Sequence, residues 1–347
     1  MKAAYLVGPA KLEISEVPTP SVPGDGLLIA VKACGVCGSD LRRWREGPAS
    51  EHDRLIAGHE ISGEIVAVGA QVKDYAIGER LAIAPDIHCG KCYYCEHGLY
   101  NLCNSLRLIG ITTGFNGGFA EFIVLTAEML ANGIVHRVPQ SLSYRQAALA
   151  EPLSSVLSSH DQAGTMLEDT VVVMGAGPIG CLHIAVAHAR GARVILSEPS
   201  PVRRQMALQF RPELIIDPTT QNLIEEVRQA TGMRGADIAI CANPVATTHS
   251  QAVELVRKRG KVVLFGGLPK ANPTTILDGN RIHYSEIRVF GSFSYHPSYH
   301  ALALEVIERG LVNSEQVITH SFAIDQIDEA FHLAANGEAL KVMIEIP

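Results

Sequence analysis

The sequence predicts an α/β chain of two domains, one β-rich and barrel-like, the other built on a parallel, doubly wound sheet. Three observations carry this reading. Residues 1 to about 150 break into many short strand-like runs punctuated by Gly, Pro and Asp. From about residue 155, short apolar strands alternate with longer helical stretches, the pattern of βαβ units. At the first strand-to-helix junction of that second region stands a Gly-rich turn, Gly175-Ala-Gly177-Pro178-Ile179-Gly180. With 347 residues the chain is long enough for two domains, each with its own core.

Taken in order, Met1-Lys-Ala-Ala-Tyr-Leu-Val has no long apolar h-region and runs directly into a first strand, so nothing marks it for export. Leu27 to Ala33, Ile61 to Val68 and Arg80 to Ala84 read as strands of the β-rich domain. In the second region Thr170 to Met174, Arg193 to Ser197, Leu214 to Asp217, Asp237 to Cys241 and Lys261 to Phe265 read as strands, with helices over Pro178 to Arg190 and Pro201 to Phe210. Ile287 to Phe293 alternates as an edge strand should. Helical stretches Ser298 to Arg309 and Ala323 to Asn336 precede a last strand, Lys341 to Ile346, a tail expected to return to the first domain. The domain division expected is thus 1–153, 154–290 and 291–347, with a cleft between closely joined domains, because no charged or Ser-rich linker separates them.

The net charge of −7 comes without a Lys/Arg block, which argues against nucleic acid or an anionic membrane as partner. Apolar runs are too short and too often broken to span a bilayer. Of the eight cysteines, four stand in metal-ligand spacing, while Cys181 and Cys241 fall inside apolar helix or strand patterns. A reducing cytoplasm is therefore the expected location.

The Gly-rich turn has the context its chemistry needs, a strand before it and a helix after it. Glycines allow a tight turn and close approach of backbone to a pyrophosphate at the helix N-terminus. The next strand ends at Glu198, roughly 20 residues on, where a carboxylate suits adenosine ribose hydroxyls and repels a 2′-phosphate. NAD is expected over NADP. Arg203 and Arg204 nearby either face solvent or ease NADP binding.

Cys89, Cys92, Cys95 and Cys103 have the spacing of a closed, tetrahedral zinc site, which contributes to folding. Lys91, Tyr93 and His97 flank it. A second, scattered set comprises Cys37, His59, Glu60 and Glu151. Thiolate, imidazole and carboxylate together can hold a zinc ion with one position open for an alcohol oxygen. Two zinc ions per subunit are expected, one structural and one catalytic. Cys34 beside Cys37 admits a redox-pair reading as well.

These motifs, with Gly35-Val-Cys-Gly-Ser-Asp40, Gly58-His-Glu-Ile-Ser-Gly63, Gly78-Glu-Arg80, Gly117-Gly-Phe-Ala-Glu121, Glu151-Pro-Leu-Ser154 and Leu340-Lys-Val-Met343, resemble the zinc-containing medium-chain dehydrogenase/reductase family over essentially the whole chain. Within the family the chain looks most like sorbitol (L-iditol) and related polyol dehydrogenases. The resemblance implies a GroES-like catalytic domain formed from both chain ends, a central Rossmann domain, and assembly into homodimers or homotetramers. It implies that Cys37 and His59 are zinc ligands, that Glu60 and Glu151 alternate as ligand or as partner of the zinc-bound water, and that Ser39 takes the alcohol proton. A turn-capping serine is the plainer reading of Ser39. The expected reaction is hydride transfer from a secondary alcohol of a polyol, sugar or sugar acid to NAD.

Two departures bear on substrate. Polyol dehydrogenases commonly read Ser-Asp-x-His-Tyr-Trp where this chain reads Ser39-Asp-Leu-Arg42-Arg43-Trp44, so the relay histidine is missing. Sorbitol dehydrogenases also place Arg where Ser294 stands, although Tyr295 is kept. Arg42 and Arg43 suit a phosphate or carboxylate, as in the phosphopolyol dehydrogenases, or else face cofactor or solvent. Trp44 reads equally as a pocket wall or as core. Reduction of an aldehyde or ketone with NADPH is a further alternative. A catalytically silent binding protein is another; it predicts loss of a ligand or of the Gly-rich turn, and neither is lost.

Overall fold

The computed structural model describes residues 1–48, 50 and 54–347. The chain divides into two compact units, one of residues 1–154, 295–310 and 318–347, the other of residues 155–294 and 311–317.

The first unit is built on a seven-stranded sheet. Its order is Ile318–Ala323, Lys341–Glu345, Leu27–Gly35, Glu60–Val68, Arg80–Ala84 and Ile134–Arg137, with Phe122–Leu125 also pairing Leu27–Gly35. The last strand of the chain lies antiparallel to Leu27–Gly35, Met343 opposite Gly35 and Ile344 opposite Cys34. On the other side Gly35 pairs with Glu60 and Cys34 with Ile61. This register brings residues from three distant parts of the sequence to one end of the sheet, where the chain leaves Gly35 for the helix Gly38–Glu46. Inside, Leu27, Ile29, Val31, Ile61, Ile65, Leu81 and Ile83 form one apolar core with Phe119 and Phe331. Alternating apolar positions in strands turn their faces to that core, and the burial offsets the entropy of ordering the many loops between them.

The second unit holds six parallel strands in the order Leu214–Ile216, Arg193–Ser197, Thr170–Met174, Ala236–Cys241, Val256–Leu264 and Arg288–Gly291. Counted along the chain this is 3-2-1-4-5-6, the doubly wound order of dinucleotide-binding sheets. All five residues of Thr170–Met174 are buried, as expected of a strand covered on both faces. The strand order reverses between Thr170–Met174 and Ala236–Cys241, and Gly175 follows the carboxyl end of the first of these. Ligands of open α/β sheets bind at that place.

Three elements differ from the periodicity reading. The helix from Pro201 stops at Ala207 and tightens into a 3₁₀ turn, Leu208–Phe210, closed by Arg211 in the left-handed region at φ 55°. Ala323 belongs to a strand, paired with Glu345, so the following helix starts only at Ile327. The strand expected from Lys261 begins at Val256, with an irregular register between Ala236 and Ile238. Among the described residues, no helix is long and apolar enough to cross a membrane.

Candidate active site

Cys37 stands at the N-cap of helix Gly38–Glu46, and its backbone N–H donates to Asp40 Oδ2 at 2.9 Å. The other oxygen of Asp40 lies 3.4 Å from His59 Nδ1, both side chains buried. One carboxylate therefore caps the helix and lies beside the imidazole at Nδ1 without a hydrogen bond to it, with Nε2 on the other side of the ring. That nitrogen is 3.5 Å from Ser39 Oγ. Gly58 turns the chain into His59 at φ 92°; a Cβ there would come 2.7 Å from Cys34 Sγ.

Glu60 is wholly buried. Its carboxylate accepts from Lys341 Nζ at both oxygens, 2.7 and 2.9 Å, and Lys341 also donates to the Val36 carbonyl at 3.0 Å. The ligand atoms of Cys37, His59 and Glu60 all lie within 4.8 Å of one another. Burial works against a charge on His59, yet Asp40 and Cys37 together hold its pKa well above the ordinary value. A pocket of anions that would draw a proton onto a buried imidazole is one that a divalent cation fits, and the thiolate, imidazole and carboxylate donor set suits zinc.

Glu151 lies in the first turn of helix Ala150–Ala163 and is not one of that close set. Its Oε1 accepts from the hydroxyl of Tyr295 at 3.3 Å, and burial pushes its pKa up to about 8. Tyr295 itself is 2% exposed. Of the remaining candidates, Arg42 is exposed on helix Gly38–Glu46 and Arg43 half-buried. Trp44 is 5% exposed and packs against Phe331 and His332, with ring centroids 6.1 and 4.9 Å away. Core packing is thus the role the structure displays for Trp44, because its ring is spent on helix Ile327–Asn336.

Cys89, Cys92, Cys95 and Cys103 bring their sulfurs within 4.8 Å of one another. Backbone N–H groups of Cys89 and Ser105 donate to Cys103 Sγ at 3.2 and 3.4 Å. Backbone N–H groups of Cys95 and Asn104 draw the Cys92 pKa down to about 6. Donors aimed at sulfur favour the thiolate, which is the ligand form. All eight cysteines are free, and Cys34 is buried with its thiol pKa raised well above the usual by that burial, which disfavours the thiolate that a redox pair needs. Burial also pushes Cys181 and Cys241 up to about 12.

In the second unit Gly175 takes φ 110°, and a Cβ on Gly180 would sit 1.9 Å from the Gly175 carbonyl oxygen. Gly177 is the N-cap, with no side-chain cap hydrogen bond, and Pro178 the first residue of helix Pro178–Ala189, followed by Ile179 and Gly180, so this end of the helix carries no bulky polar cap. Glu198, buried at the end of Arg193–Ser197, accepts from the backbone N–H of Ala176 at 2.6 Å and of Ser200 at 2.8 Å. Arg203 reaches over the turn, its guanidinium 4.0 Å from where a Gly177 Cβ would be. Arg204 is turned away, onto the carbonyls of Glu198 and Pro199 and the carboxylate of Asp217.

Two residues had no assigned role from sequence. Asp40 was visible as a carboxylate three residues after an N-cap, a capping pattern. Lys341 had no local signal, since its partner Glu60 lies 281 residues away.

Residues 23–139 match the alcohol dehydrogenase GroES-like domain and residues 178–309 the zinc-binding dehydrogenase family. The chain is similar to the sorbitol dehydrogenase of Bacillus subtilis (strain 168), 34% identical over 99% of this chain and 97% of that protein. It is also similar to the D-arabitol-phosphate dehydrogenase of Enterococcus avium, 31% identical over 95% of this chain and 92% of that one. Among solved structures, the alcohol dehydrogenase from Thermus sp. ATN1 superposes with a TM-score of 0.92 over the full length of both chains at 26% identity. The chain belongs to the zinc-binding medium-chain dehydrogenase/reductase family, with a GroES-like and a Rossmann-like domain. It is an NAD(P)-dependent dehydrogenase acting on a CH–OH group, and its described residues include two distinct clusters of side chains able to hold a metal ion.

Proposed function

We propose that this protein oxidises a secondary alcohol of a polyol, sugar or sugar acid to the ketone, with NAD as acceptor and zinc at the Cys37 cluster. The reading is carried by the convergence of Cys37, His59 and Glu60 within 4.8 Å, beside a Ser39 hydroxyl 3.5 Å from His59. Cys37 and His59 hold the catalytic ion, with Glu60 and Glu151 alternating at a third position, and the four-cysteine loop holds a structural ion. Zinc, when bound, supplies the Lewis acidity that lowers an alcohol's pKa, and NAD is the hydride acceptor.

Ser39 Oγ takes the alcohol proton. Because Arg42 stands where a relay histidine would, that proton leaves through water or the cofactor ribose. The Asp40 carboxylate, 3.4 Å from His59 Nδ1, biases the ring's orientation by its charge. Glu151 has one oxygen engaged by Tyr295, which leaves the other for a hydrogen bond with a second substrate hydroxyl. That pairing supports a hydroxyl-rich substrate. Gly175, Gly177, Pro178, Ile179 and Gly180 receive the pyrophosphate with Arg203 beside them, and Glu198 at the strand end supports NAD over NADP. The terminal strand of the sheet, Arg288–Gly291, with Phe293 exposed beyond it, supports assembly through this edge into dimers or tetramers.

A second reading is favoured by Arg42, exposed on the helix that carries Ser39, and by the similarity to a protein named for a phosphorylated polyol. In it the substrate is anionic and Arg42 or Arg43 binds its phosphate or carboxylate. The test is NADH formation by the zinc-loaded protein across free polyols, sugar acids and polyol phosphates. Turnover of neutral polyols supports the first reading; a strict requirement for an anionic group supports the second. No turnover of any of them would overturn both.

A further inference from the structure

Lys341 is a charge in an unusual place. It opens a strand that stays buried through Ile344, and only 2% of it is exposed. Each of its three N–H donors has an acceptor: both oxygens of Glu60 and the carbonyl of Val36. Glu60 in turn rests against the bare Cα of Gly35, where a Cβ would lie 2.0 Å from Oε2. Yet the same carboxylate presents an oxygen within 4.8 Å of the Cys37 sulfur and a His59 nitrogen. Glu60 therefore stands between two positive charges, the Lys341 ammonium and any cation held by Cys37 and His59.

We propose that Lys341 is a positioning residue that holds Glu60 back from the metal and so keeps a coordination position open for the substrate oxygen. The proposal rests on the metal reading above. Its physical basis is competition for one set of lone pairs. With both oxygens bonded to an ammonium, the carboxylate is satisfied without the metal; with the ammonium gone, it is a buried charge without compensation, a costly state that coordination relieves. Lys341→Met should then tighten metal binding while closing the site to substrate. Loss of a merely structural residue would loosen it.

The experiment uses full-length protein reconstituted with Co²⁺, whose ligand-field spectrum reports coordination number. The Cys37→Ser spectrum is subtracted to remove the four-cysteine contribution. Lys341→Met is expected to show a higher coordination number and to lose metal to a chelator about tenfold more slowly than the native protein, the scale on which partners of metal ligands act. Adding Glu60→Gln to Lys341→Met should restore native-like release. Lys341→Gln, which keeps one donor to Glu60 and protects the fold, reads the same effect at smaller size. Release as fast as native, or faster, in both Lys341 variants with an unchanged spectrum overturns the proposal and leaves the metal reading standing. If native and Cys37→Ser proteins give the same cobalt spectrum, the metal reading fails and takes the proposal with it.

Discussion

Two buried histidines in the nucleotide-binding unit should make it acid-sensitive. His160 and His183 are wholly buried and bonded to each other, His183 Nδ1 to His160 Nε2 at 3.2 Å, while His160 Nδ1 meets Thr165 Oγ1 at 2.9 Å. Phe265 meets the His183 ring edge-on at 4.6 Å. Burial pushes His160 down to about 3, with Arg190 adding to the effect and Asp161 opposing it, and drives His183 well below its ordinary value. Both are neutral in the fold, and the unfolded chain takes up their protons below about pH 6.5. Between that value and the folded pKa the unfolded state binds more protons, so stability falls as pH falls through this window. For His160, shifted from 6.5 to about 3, the loss at pH 5 is roughly 2 kcal/mol, and His183 adds a loss of the same sign. Urea unfolding of native protein and His183→Phe at pH 7.5 and pH 5 measures it. Acid titration of carboxylates and metal thiolates is common to both proteins, so the readout is the difference in slope: His183→Phe should lose less stability than native between the two pH values. Equal losses would show that these histidines are not held neutral by burial.

Other outcomes follow from single contacts. Gly180→Ala puts a Cβ 1.9 Å from the Gly175 carbonyl, so NAD binding by calorimetry should weaken at least about tenfold as the turn is forced open. Cys37→Ser should reduce turnover to background while NAD affinity is retained; surviving turnover would remove the metal from the mechanism. Cys95→Ser should lower bound zinc by one ion per chain and lower the melting temperature, because a closed site contributes folding energy. Tyr295→Phe removes one hydrogen bond to Glu151, and a loss of roughly 1 kcal/mol, about fivefold in kcat/KM, is expected for polyols.

What was legible in the sequence is what is local. The strand, Gly-rich turn and helix around Gly175 to Gly180 are contiguous, and the four cysteines lie within one loop, so spacing alone carries their geometry. Glu198 could be placed because a strand of fixed rise delivers its end to the turn. Long-range pairing was not legible. Lys341 reaches Glu60 only because the last strand docks beside Leu27–Gly35, a register that apolar alternation permits without specifying a buried cation. Trp44 had two plausible faces, and the choice depended on where helix Ile327–Asn336 packs. Helix ends near Ala207 and Ile327 depart from the apolar periodicity because sheet pairing and a left-handed closing residue override it there.

The most direct test strips the protein of metal with a chelator, then follows NADH formation from NAD and a reactive polyol before and after zinc is returned. The account predicts no turnover without metal and recovery on adding zinc, with Cys37→Ser silent in both states. Turnover that persists without metal, or that zinc restores in Cys37→Ser as fully as in the native protein, would contradict it.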